Sequence, residues 1–289
     1  MAEEKNTKRK HKSSGIWREF KKNKAAIAGL IILTVIILVA VFAEVIVDYD
    51  KAITLDPLHS LESPSKEHIF GTDSFGRDVF ARIIYAARPS IAVGMVAVII
   101  ALAIGSSLGV VAGYYGGVIE NIIMRISDIF VSIPSILLAI CIAASLGQGV
   151  GVLMFAIGIV SCASFTRIAR AAVLPIRGEE YIEAAIASGA KDYQVILSHI
   201  LPNCLAPIIV QATMRVASAI ILASSLSFLG LGIPAPAPEW GGMLSEGRTF
   251  IRDYSYLTLI PGLAIVVTVL SINLLGDGLR DAMDPKLRS

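Results

Sequence analysis

Glu179 to Pro202 reads EEYIEAAIASGAKDYQVILSHILP. It is a polar, helix-prone island set between long apolar runs, most of them before it and two after. Helix propensity is high from Glu179 to Ser188, which contains no proline. Gly189 stands where a left-handed cap would close that helix, because glycine takes positive φ without steric penalty. A second short helix fits Asp192 to Leu201. Tyr193, Ile196, Leu197, Ile200 and Leu201 follow the i, i+3, i+4, i+7, i+8 spacing of one apolar stripe. Pro202 is expected to limit that helix and turn the chain into the next apolar run. Two readings of the stripe stand. It lies on lipid or on the chain's own spans, or it docks into a groove on a partner.

The runs on either side set the class of protein. Of 289 residues, 55% are hydrophobic and 17% charged, with mean hydropathy +0.73. That charge content is well below the roughly 25% of soluble domains, and uninterrupted apolar runs of this length belong to membrane proteins. Ala25–Ala43 carries no charge and supplies one span. Pro89–Ile119 is also uncharged, predicting a helix over 88–112 and a turn over 113–117. Ile129–Thr166 is too long for one span and divides at Leu146–Gly151, giving a hairpin of spans three and four with Pro134 inside the third. Ala206–Leu229, interrupted by Arg215, makes the fifth, and Tyr254–Gly276 makes the sixth. The first run is too long for a cleavable leader and reads as a retained anchor.

Six spans put both ends on one side. Nine basic residues precede the first span, and Arg125, Arg167, Arg170, Arg177, Lys191, Arg280, Lys286 and Arg288 fall on the same predicted side. The opposite side holds Lys51, Lys66, Arg77, Arg82, Arg88, Arg248 and Arg252. This bias predicts cytoplasmic termini and places 167–205 in the cytoplasm. The basic N-terminal flank reads as a topology signal rather than a nucleic-acid-binding tail. The predicted units are a tail (1–24), the first span with an outer loop (25–85), a core (86–280) and a short tail (281–289).

Four stretches, the island among them, bear on the fold class. The island resembles the EAA loop of binding-protein-dependent ABC importer permeases, roughly EAA-x3-G-x9-I-x-L-P. Here Glu183-Ala184-Ala185 is followed by three residues, Gly189, nine residues and His199-Ile200-Leu201-Pro202. His199 departs from the general isoleucine, and the HILPN form through Asn203 is similar to the peptide-permease branch. Phe70–Asp78 (FGTDSFGRD) with Arg82 resembles the signature ahead of the second span in C-type subunits of dipeptide, oligopeptide and nickel permeases. Leu226–Pro234 with Trp240-Gly241, and Gly276–Pro285, are also similar to that branch.

The resemblance implies an all-α, six-span membrane protein of the MetI-like type I ABC importer fold, in the cytoplasmic membrane of a prokaryote. It implies a pore-forming subunit for short peptides, with nickel complexes or glutathione as the alternative cargo. Glu183, Ala184, Ala185, Gly189, Ala190, Lys191, Asp192, Tyr193, Leu201 and Pro202 are the implied ATPase-docking and coupling residues. Gly71, Thr72, Asp73, Gly76, Arg77 and Asp78 form the implied outer-loop signature. The implied partners are a homologous B-type permease, two ABC ATPase subunits, an extracytoplasmic solute-binding protein and membrane lipid, with no nucleic acid. No cofactor is implied in this chain; ATP and Mg²⁺ belong to the ATPases.

The residues themselves agree with a non-enzymatic subunit. No G-x-x-x-x-G-K-[ST] loop occurs, and no nucleophile or paired-carboxylate set stands out. Cys141, Cys162 and Cys204 have no ligand or disulfide spacing and read as packing residues. Glu67, His68, Asp73 and Asp78 could suggest a metal site. The better account has Thr72 or Asp73 capping a short helix that carries Asp78 and Arg82, with Arg77, Arg82 and Arg88 near headgroups. Arg215, well inside a span, either faces the translocation pathway or a partner's carboxylate, or snorkels to the inner interface. Prolines 234, 236 and 238 favour an extended stretch that contacts a binding protein, lines the lumen or merely turns. A secondary transporter without ATP is the rival from another class; it predicts carboxylates inside the spans and a repeated half, and neither is visible.

Overall fold

A computed structural model describes residues 17–283 and is helical throughout, with an isolated bridge between Thr72 and Asp78 as the one strand-like pairing among those residues. Most of the basic N-terminal tail, and Lys286 and Arg288, lie outside the described residues. Asn23 starts α1 (Lys24–Val41) by accepting from the Ala26 amide, 3.1 Å away. The long α2 (Val79–Tyr115) is capped by Asp78, which accepts from the Ala81 amide at 2.8 Å. Then come α3 (Gly117–Ser132), α4 (Ser135–Leu146), α5 (Val150–Arg177), α6 (Glu180–Ala187) and α7 (Asp192–Phe228). A short helix, α8 (Trp240–Gly247), and α9 (Tyr256–Met283) complete the chain.

Five of these, α1, α2, α5, α7 and α9, are long and apolar enough to cross a membrane. A sixth candidate crossing is a bent helix pair. Pro134, expected inside the third span, stands at the break between α3 and α4, which are bent by 92°. The residue before a proline is driven out of the helical region, and Ile133 duly sits at φ −92°, ψ 130°. With 12 residues, α4 reaches only about 18 Å, too short to span alone.

The spans meet through small residues. Along one face of α2, Gly105, Gly109 and Gly113 approach α5 so closely that a Cβ would overlap Cys162, Thr166 and Val173. Ile100 of α2 fills the space above Gly158 of α5. Gly94 does the same for Ile220 of α7, and α1 lies on α9 through Gly29 and Gly278. In lipid no hydrophobic drive separates helix from solvent, so close backbone approach and dispersion hold the bundle.

Contacts define two ends. At one end, Arg88 of α2 donates to the Ala40 and Val41 carbonyls and pairs with Glu44 at 2.9 Å, satisfying carbonyls left open where α1 stops. Tyr256 at the start of α9 donates to the carbonyls of Glu62 and Thr72, at 2.8 and 2.9 Å. The loop between α1 and α2 therefore sits at this end. At the other, Asn23 reaches Asp281 at 3.3 Å, Arg170 of α5 pairs with Glu120 of α3, and Tyr114 reaches Asp192. The start of α1, the end of α9 and the 179–202 island thus share one end of the bundle.

Candidate docking surface and translocation groove

The island folds as α6, a tight turn and the first turns of α7. Gly189 has φ +81°, its amide donates to Ile186 O at 2.9 Å, and the next amide, of Ala190, donates to Ala185 O at 3.1 Å. This is the six-to-one and five-to-two pairing of a Schellman cap, available only where the capping residue tolerates a left-handed backbone. Lys191 then begins α7, its amide donating to Gln194 Oε1 at 2.9 Å. Tyr114, at the end of α2, donates to Asp192 Oδ1 at 2.9 Å and ties this corner to the bundle.

The apolar stripe is split rather than single. Ile182, Val195 and Ile200 are buried against Tyr114, Ala169 and Val173, whereas Tyr193 and Leu197 point outward, 57% and 59% exposed. Residues Ile196–Ile200 form a π turn, in which the Leu201 amide donates to Ile196 O. One extra residue in the ladder rotates the pattern by about 100°, so a count at 3.6 per turn picks residues from both faces. Pro202 does not limit the helix. It occupies the first turn of the α-helical segment that follows, where its missing N–H is tolerated, and α7 runs unbroken from Asp192 to Phe228. Glu183 and Ala184 are exposed, Ala185 and Ala190 are partly covered, and Ile186 joins the outward apolar surface at 51% exposure.

Farther along α7, Arg215 lines an open groove of about 590 Å³ between the end of α3, α4, α5 and α7. Its Nη2 donates to Ser164 Oγ at 2.6 Å. Five serines and two arginines line the groove, and no carboxylate does. Arg167, the other arginine, pairs with Asp128 at 2.7 Å; no such partner lies near Arg215 among the described residues.

The outer-loop signature builds a closed ionic cluster. Asp73 Oδ1 accepts from the amides of Phe75 and Arg77, at 2.9 and 3.0 Å, and its Oδ2 accepts from Arg77 Nε at 2.7 Å. Glu246 Oε2, on α8, accepts from Arg77 at 2.6 Å and from Arg82 at 3.0 Å. Arg77 and Arg82 are each 2% exposed, so neither is near headgroups. Neither Thr72 nor Asp73 caps a helix: Asp78 does, Arg82 lies in the first turn of α2 itself, and the second span begins at Val79 rather than 88. His68 Nδ1 contacts Asp78 Oδ2 at 2.8 Å, and among the described residues no His, Cys, Asp and Glu group is arranged to hold a metal. Gly71 and Gly76 turn this loop at φ +75° and +78°.

Residues 105–289 match the model of the family described as "Binding-protein-dependent transport system inner membrane component". The chain belongs to that family. Residues 14–64 match "N-terminal TM domain of oligopeptide transport permease C". The permease is 52% identical to a dipeptide transport system permease protein of Alkalihalophilus pseudofirmus, over 94% of this chain and 91% of the relative. It is 43% identical to a glutathione transport system permease protein of Pectobacterium atrosepticum, over 94% and 91%. A chain of the MetNI methionine ABC transporter in an inward-facing form shares the fold, with TM-score 0.58 at 19% identity, over 70% of this chain and 96% of that one.

Sequence reasoning missed two carboxylates of the permease. Glu239, 3% exposed, accepts from the Gly241 and Gly242 amides and caps α8, and its Oε1 also contacts Ser90 Oγ at 3.2 Å. The Glu-Trp-Gly-Gly pattern after the prolines carried that signal as an N-cap. Glu246 had no local signal, since its partners lie 164 and 169 residues away. The Pro-rich stretch is not extended throughout: it turns over residues 235–237, with a cis Ala235–Pro236 peptide, and a Pro236 carbonyl faces Arg82.

Proposed function

We propose that this permease is one of two homologous membrane subunits lining the pore of an ATP-driven importer of short peptides, with two ATPase subunits on the cytoplasmic side and a solute-binding protein outside. The peptide substrate is supported by the 52% identical dipeptide permease; the glutathione permease among the relatives fits the same reading, since glutathione is itself a short peptide. The Lys and Arg bias supports cytoplasmic termini and a cytoplasmic island. ATP and Mg²⁺ act in the partner subunits, and this chain contributes the path and the linkage.

The observation that carries the mechanism is the unbroken α7. Its first turns present Tyr193 and Leu197 outward, and 22 residues after Tyr193, about 33 Å along the axis, Arg215 lines the groove. A partner that holds the exposed edge holds one end of a rod whose middle forms the wall of the path. Closure of the ATPase pair swings that rod, and the groove alternates between inward and outward access. Glu183, Ala184, Gly189 and Lys191 shape and border the seat, and the Schellman cap fixes α6 against it.

The test is co-purification and uptake in membranes with Leu197→Glu and Gly189→Pro. Both variants are expected to abolish uptake, and Leu197→Glu to release the ATPases while leaving this chain in the membrane. Intact transport in Gly189→Pro, or purification of the wild-type chain without any ATPase, overturns the reading.

A further inference from the structure

We propose that Arg215, oriented by Ser164, is a transit site for the C-terminal carboxylate of the peptide as it passes through the groove; this rests on the peptide reading above.

A guanidinium well inside a membrane span is costly unless it meets a counter-charge or water. Arg215 meets neither an Asp nor a Glu among the described residues, and Ser164 Oγ takes up one of its five N–H donors. Arg215 lines an open space of about 590 Å³, within the range that holds a small-molecule ligand. Arg167 is neutralised by Asp128, so Arg215 is the excess positive charge of the lining. Nothing acidic in that lining would repel an anion.

The rest of the wall fits a peptide whose side chains vary. Ser161 and Ser218 offer hydroxyls that donate or accept, and Ser225, whose hydroxyl donates to Ile221 O at 2.8 Å, is left to accept, which together suit peptide amides and carbonyls. Phe130, Val160 and Ile221 supply apolar surface that sets no size or charge. The feature that every unblocked peptide shares is its terminal carboxylate, and a planar guanidinium is the side chain that pairs with it in two-pronged fashion. A single such contact is strong enough to orient cargo and weak enough to release it. Because Arg215 rides on α7, the swing that opens the groove also moves the guanidinium from its Ser164 rest, coupling release to the stroke.

The experiment uses the whole complex in proteoliposomes with its binding protein, supplied with alanyl-phenylalanine or its C-terminal amide at loading saturation. Uptake and ATP hydrolysis are read together for wild type, Arg215→Gln, Arg215→Lys and Ser164→Ala. Arg215→Gln is expected to keep assembly and stimulated ATP hydrolysis while uptake of the free acid falls about 10- to 100-fold, the worth of one charge-assisted hydrogen-bonded contact. Arg215→Lys recovers part of that loss, Ser164→Ala loses severalfold, and the amide is insensitive to all three. Equal losses for acid and amide, unchanged uptake of the acid, or a complex that falls apart in Arg215→Gln overturns the transit site; the last result assigns Arg215 to a carboxylate of the neighbouring permease. A wild-type complex that imports neither compound overturns the peptide reading itself.

Discussion

Arg77 and Arg82, each 2% exposed, pair with Asp73 and Glu246 at the end of the bundle that carries the α1–α2 loop, while Arg215 is held by a serine hydroxyl and lines an open groove. The same side chain serves opposite ends. At the loop end it joins three separated pieces of chain, the α1–α2 loop, the start of α2 and α8, into one plate. Its charge is cancelled where it sits. In the groove the charge is left over, and a left-over charge inside a span is a working group rather than a strut.

The sharpest way to break that contrast is to remove a charge from each half. Arg82→Leu leaves Glu246 and Asp73 short of a buried partner, at a cost of about 3–5 kcal/mol, a large share of the roughly 5–15 kcal/mol that holds a domain folded. Membrane abundance and thermal stability are expected to collapse. Arg215→Leu is expected to leave abundance near wild type and lower transport. Quantitative blotting beside an uptake assay separates the two; parallel loss of abundance in both variants would end the distinction between strut and working group.

A second pair of changes sharpens the same contrast on the 179–202 corner. Ile200 is fully buried and Leu197 is 59% exposed, three residues apart across the π turn. Ile200→Ala is expected to cost about 2–5 kcal/mol of folding stability through the cavity it leaves. Leu197→Ala is expected to leave melting in detergent unchanged and weaken ATPase retention. If the two behave alike, the outward edge is ordinary surface.

The glycines give a smaller effect of the same kind. Gly76 and Gly189 share a left-handed backbone, but a Cβ on Gly76 would overlap the Asp56 carbonyl, whereas Gly189 has open space around it. Gly76→Ala carries both clash and strain; Gly189→Ala carries strain alone, about 1–2 kcal/mol. Thermal unfolding is expected to rank Gly76→Ala as the more damaging.

These contrasts were unequally legible in the chain. The spans are plain because Ala25–Ala43 and the other charge-free runs admit no other reading in water. The Schellman cap at Gly189 was legible because its chemistry is local. The split stripe was not: counting at 3.6 residues per turn joins Tyr193 to Ile200, and only the π turn separates them. Pro134 was visible, but whether a proline kinks or breaks a helix depends on what packs around it. Arg77 and Arg82 looked like headgroup residues because Glu246 is invisible in a window of a few turns. Arg215 stood out by its position alone, and the cavity around it required the fold.

The smallest effect concerns a pair on the outer loop that belongs to neither half's task. His59 Nδ1 and Asp56 Oδ2 are 2.7 Å apart, with both side chains about half exposed. The hydrogen bond to Asp56 raises the His59 pKa above its ordinary 6.5, and the same bond to His59 lowers that of Asp56 below its ordinary 3.8. A raised histidine contributes fully below 6.5 and loses its contribution as pH rises through the folded value. A lowered carboxylate contributes fully above 3.8 and loses it as pH falls through its folded value. The pair is therefore intact between those two ordinary values, and it loosens as pH rises through the raised value of His59. Amide exchange over residues 56–62 is expected to be slower at pH 5.5 than at pH 8 after correction for intrinsic rates, and His59→Asn to remove the difference. Because solvent screens both groups, the melting temperature of the whole chain should not follow. A melting shift that tracked this pair would mean that the loop's exposed rim, and not only its buried arginines, holds the outer plate together.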